Sequence, residues 1–124
     1  MAVLTEARED IAAALAGADP VHTFVPDRIV PPAVLVVPGS PYLAQEAQPI
    51  GSLTARFDVW MVMGAGTNET VTTALDEQIE NRADALSAAG FGVEEIGQPF
   101  LWTVQGAQLL TVTITVTTPV TLTK

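Results

Sequence analysis

The sequence predicts an α+β domain: a mainly antiparallel β-sheet with two α-helices packed on one face. Three stretches carry that prediction. "LLTVTITVTT" (109–118) alternates Leu110, Val112, Ile114 and Val116 with Thr111, Thr113, Thr115 and Thr117, the period of a strand with one buried face. "LTARFDVWMVM" (53–63) does the same with Ala55, Phe57, Val59 and Met61. Between them, 69–89 repeats apolar residues at helical spacing, with Val71, Leu75, Ile79, Ala83 and Leu86 on one stripe.

The remaining elements follow in order. "TEAREDIAAALA" (5–16) predicts a short amphipathic helix, with Thr5 as N-cap, Glu6 and Glu9 in the first turn and Gly17 as the left-handed residue after its end. "VHTFV" (21–25) predicts a short strand. "AVLVV" (33–37) is a continuous apolar run that reads as a strand stopped by Pro31-Pro32 and Pro38-Gly39. Residues 44–51 have no period and read as a loop or the tip of a long hairpin. Gly90 closes the long helix. "VEEI" (93–96) and "FLWTV" (100–104) are further strands, and "QGAQ" turns into the last one. If 93–96 is a regular strand, Glu94 and Glu95 point to opposite faces. The far end of 53–63 places Trp60 and Val62 on the otherwise polar face, so something is expected to cover that end.

The chain has 124 residues and reads as one domain, 1–124, with one core. Hydrophobic residues make up 48% and charged residues 15%, which excludes intrinsic disorder as the class. Five Lys plus Arg stand against fourteen Asp plus Glu, for a net charge of −9. A surface of that sign repels a phosphate backbone, so gripping nucleic acid is not expected. There is no cysteine, hence no disulfide frame and no thiolate chemistry. "MAVLTEARED" has no basic region followed by an apolar run, and no stretch approaches a membrane span of about 20 apolar residues. A soluble protein made in a cytoplasm is the expectation.

Catalytic, cofactor and metal sites are not expected. "GAGTNE" (64–69) follows a strand and precedes a helix, but a dinucleotide loop needs a third glycine where Glu69 stands, and a phosphate-binding loop needs a lysine that is absent. The reading is a turn before a helix, capped by Thr67 or Asn68. His22 is the only histidine. Ser40, Ser52 and Ser87 lie in no nucleophile elbow. Asp76, Glu80 and Asp84 stand at i, i+4 and i+8 on the long helix. They form a solvated acidic face, or a stripe toward DNA or a neighbour's arginine. Tyr42 and Trp60 are candidate interface anchors. With Val62, Thr111, Thr113 and Thr115 they make the expected subunit or tube interface.

The order of these segments resembles a known family. "LTEAREDIAAALAG" precedes the proline-rich "VPDRIVPPAVLVVPGSPYL". The strand "ARFDVWMVMGAGTNE", the helix "VTTALDEQIENRADALSAAGF" and the threonine-valine strand "LTVTITVTTPV" follow. Together these are similar to the tail terminator proteins of long-tailed phages, of the kind found in phages of actinobacteria. The resemblance covers nearly the full length and rests on order, length and composition. It implies a virion structural protein, not an enzyme, that forms a ring, usually a homohexamer, at the head-proximal end of the tail tube. Such a ring ends tube polymerisation and joins tail to head. Its implied partners are its own copies, the major tail tube protein and a head-completion or neck protein, and DNA passes through the lumen without specific binding. The implied location is the tail or neck of the virion, after synthesis in the host cytoplasm. The alternatives are another head–tail connector or neck adaptor, and a small soluble ligand-binding domain or enzyme using the 64–69 loop.

Overall fold

Alternation at period two determines where the core lies. The structure, a computed structural model, describes residues 3–16, 21–23, 32–45, 52–65, 69–104 and 106–121. It has two helices, α1 (Val3–Ala14) and α2 (Glu69–Ala88). The strands are β1 (Val21–His22), β2 (Ala33–Gln45), β3 (Ser52–Ala65), β4 (Gly92–Ile96), β5 (Phe100–Val104) and β6 (Ala107–Thr121). The fold is α+β, as the sequence predicts.

The sheet runs β1-β2-β3-β6, and both β4 and β5 pair with the far side of β6. Among the described residues only the β1–β2 pair is parallel; the others are antiparallel. Val34, Met61 and Val112 lie across from one another, as do Val36, Val59 and Ile114. These residues share one face and form a single cluster with Ala7, Ile11 and Leu15 of the α1 region and Leu75 and Leu86 of α2. Both helices therefore cover the same face. Fully burying side chains of this size contributes about 1.5–3 kcal/mol each.

The helix ends follow local chemistry. Gly90 has φ 93°, and the Phe91 N–H donates to the Leu86 carbonyl at 3.0 Å. That is the left-handed closure expected of glycine at this position. α1 begins at Val3, so Thr5 lies inside its first turn rather than at its cap. Gly17, Thr67 and Asn68, the other expected terminal residues, lie outside the described residues.

One strand differs from expectation. β2 does not stop at Pro38-Gly39 but continues to Gln45. Pairing with β3 shifts between Pro38 and Leu43, so a bulge absorbs the residues that cannot keep register. Gly39 is needed there. A Cβ at that position would lie 2.7 Å from Arg56 Cγ and 2.8 Å from the Arg56 carbonyl oxygen.

Candidate functional site

The second face of the sheet is where sequence expectation and structure meet. At one end of it, Ala33, Leu35, Val62 and Leu109 form a separate buried cluster, flanked by Val37, Trp60 and Trp102. The cover expected over Trp60 and Val62 is supplied by β5 of the same chain. Trp102 meets Trp60 edge-on at 4.8 Å between ring centroids, and Phe100 does so at 6.1 Å. Register explains this: Phe100 sits opposite Thr111 and Trp102 opposite Leu109, on the face that carries Trp60. The Trp60 indole Nε1 is buried and donates to no acceptor among the described residues.

The expected interface residues fall into two groups. Val62 and Thr111 are fully buried within the subunit, and the Thr111 hydroxyl donates to the Leu109 carbonyl at 3.0 Å. Tyr42 lies on the other face, among the helices. Its hydroxyl accepts a 2.7 Å bond from Arg8 Nη2, and its ring meets Phe57 edge-on at 5.4 Å. Trp60, Thr113 and Thr115 are half-buried and remain at the surface of the second face. Asp76, Glu80 and Asp84 are exposed on the outer side of α2.

The other end of the second face is charged. Arg56 Nη2 and Glu94 Oε2 form an ion pair at 2.6 Å across the sheet. Thr115 donates to Asp58 Oδ1 in a long bond of 3.5 Å. β4 bulges between Val93 and Glu95, so that Val93 opposes Val116 and Glu95 already opposes Thr115. The expected opposite orientation of Glu94 and Glu95 therefore fails: the extra residue turns both acids to the face of Arg56 and Asp58. Burial pushes the Asp58 carboxyl above its usual value. The Thr115 bond and Arg56 oppose that rise, and the charge of Glu95 adds to it.

Sequence reasoning missed one internal site. Arg82 is buried, and its Nη1 donates to the Leu15 carbonyl at 2.6 Å, tying α2 to the end of α1. The signal was present, since 75, 79, 82 and 86 continue one helical stripe. An arginine on that stripe needs a buried acceptor, and the terminal carbonyls of a helix lack partners in their own helix.

A cleft of about 240 Å³ lies between the start of α1 and the end of β6, lined by Val3, Ala7, Phe91 and Val120, with Glu6 and Asp10 among its polar groups. It gathers no nucleophile–base pair. Among the described residues no group of His, Cys, Asp and Glu is arranged to hold a metal, and no helix is long and apolar enough to cross a membrane. The 64–69 loop lies partly outside the described residues; the β3–β6 register shifts between Val62 and Gly64 and resumes at Gly64↔Leu110 and Ala65↔Leu109. No protein-family model and no curated protein matches the chain.

Proposed function

We propose that this chain is a phage tail terminator or a closely related neck protein, which assembles as a ring of identical subunits at the head-proximal end of the tail tube. The observation that carries this reading is the contrast between the acidic helical layer and the uncharged Trp60 end of the second face. Over the helices the chain exposes Glu6, Glu9, Asp10, Asp76, Glu77, Glu80 and Asp84. The three described arginines are used within the subunit, by Tyr42, Glu94 and the Leu15 carbonyl. The end of the second face near Trp60 is uncharged, with half-buried Thr113, Trp60 and Trp102 over an apolar cluster. Acidic subunits that must touch do so best through such a patch.

A closed ring needs two different patches on each subunit, repeated around the axis. The Trp60 end of the second face is one of them in this reading. The acidic helical layer supplies the repulsion that lets DNA slide past without being held. The small α+β fold, with a short helix first and a threonine-rich strand last, is the kind the family resemblance implies. Trp60 and Thr113 remain as interface residues, whereas Val62, Thr111 and Tyr42 act inside the subunit.

Negative-stain imaging of the purified protein at high concentration tests the reading, alone and after addition of tail tubes. Closed rings with a central hole, free or capping tube ends, are the expected outcome. Uniform monomers that leave tube ends bare and still growing would overturn it.

A further inference from the structure

The three large hydrophobic side chains that stand exposed, among the described residues, fall within six positions: Ile96 at 39%, Phe100 at 38% and Leu101 at 44%. They lie on β4 and β5, which follow one another along β6 and have no further strand beside them among the described residues. β5 reads "FLWTV", without a charge or a proline. Soluble proteins usually blunt such an edge with lysine, proline or a bulge. The β2 side shows those devices, with Pro38, Pro41 and the shift between Pro38 and Leu43. The β5 side shows none within the strand.

The same edge becomes acidic one step along. Glu94, Glu95 and Asp58 gather around a single guanidinium, that of Arg56, which bonds Glu94 at 2.6 Å. Burial already strains the charged form of Asp58, and Glu95 adds to it. A cation arriving at the edge meets Glu95 first, since Asp58 stands on β3 with β6 and β4 between.

We infer that the β4–β5 edge accepts an extended strand of a partner protein, apolar at alternate positions beside Phe100 and Trp102 and carrying a lysine or arginine beside Glu95. Strand addition to an exposed edge takes its affinity from main-chain bonds and its specificity from alternate side chains. Register defines the spacing. Glu95 opposes Thr115, Phe100 opposes Thr111 and Trp102 opposes Leu109. At about 3.3 Å per residue, the basic group lies roughly 13 Å from the contact with Phe100. The partner strand therefore has its basic residue about four positions from one apolar residue and about six from the next. Pro99 has no N–H to donate at the junction, so β5 carries the pairing and β4 the charge.

No described strand of a second copy supplies that partner: Arg56, the one lysine or arginine on the described strands, is already paired with Glu94. The proposal rests on the edge of the free subunit and does not depend on ring formation.

The test titrates the whole protein, labelled with nitrogen-15, with the peptide Lys-Thr-Ser-Thr-Val-Thr-Val, its reverse-order form, and versions with Glu in place of Lys. The expected result is amide shifts confined to 94–104, with a dissociation constant of about 1 mM for one lysine peptide. Affinity should fall about threefold for the Glu version, and by a similar factor for the lysine peptide on the exposed-site variant Glu95→Gln. Three outcomes overturn the inference: no shifts at saturating peptide, equal affinity for Lys and Glu peptides, or shifts in 94–104 that depend on protein concentration alone. The first two leave ring formation untouched; the third reports self-association through this edge, and imaging shows whether that is a ring.

Discussion

Asp58 shows how a single carboxyl reads its surroundings. Its pKa is raised from 3.8, so the folded protein holds that proton more tightly than the unfolded chain. Its favourable contribution is complete below the unfolded value and is lost as pH rises through the folded one. At neutral pH the charged Asp58 therefore costs stability. Asp58→Asn should melt higher than the parent at pH 7, with the gap closing as pH falls toward 3.8. A variant that melts lower by the same margin at every pH would show that the Thr115 bond matters more than the burial. Neither Asp58 nor Arg82 could be weighed from sequence, because both depend on neighbours distant in the chain. Thr115 is 57 positions from Asp58, and Leu15 is 67 positions from Arg82.

Among the elements, strands and helices with a clean period were legible and their interruptions were not. β6 and α2 could be read directly, since alternation and helical spacing each leave a mark in a single stretch. β2 outruns its sequence signal, because Pro38-Gly39 taken alone is a stop. It passes through because β3 lies beside it and a bulge accommodates the proline. The Glu94 bulge is likewise invisible locally, since only the register of β6 creates it. Gly39 offers a test at this scale. Gly39→Ala places a methyl against the Arg56 backbone and should destabilise the protein by about 1–3 kcal/mol, as overpacking does. Chemical denaturation would read this directly. An unchanged midpoint would mean that β2 can shift away from β3 at no cost.

For the whole molecule, the charge distribution sets the terms of assembly. A net charge of −9 makes like subunits repel, and the repulsion is screened over a Debye length that falls from about 30 Å at 0.01 M salt to about 8 Å at 0.15 M. If the subunits meet through the uncharged end of the second face, raising salt over this range should lower the concentration at which rings form. Sedimentation across a salt series would show it. Assembly that weakens with salt would place ion pairs at the contact instead. The candidate interface is partly legible: alternation marks Trp60 and the threonines, but burial of Thr111 and Val62 depends on the β5 hairpin folding over them.

The position of β6 also governs when the protein can fold. β6 pairs with β3 on one side from Ser52↔Thr121 to Ala65↔Leu109, and with β4 and β5 on the other. Those β3 partners lie far apart in the chain, which places this topology among the slower-folding kinds. During synthesis, β3 emerges with its apolar face complete and one side lacking its partner. It must wait for β6, translated at about 5–20 residues per second. For those seconds the nascent chain is a β2–β3 ribbon with an open flank, and that interval, rather than the finished subunit, is its most aggregation-prone stage.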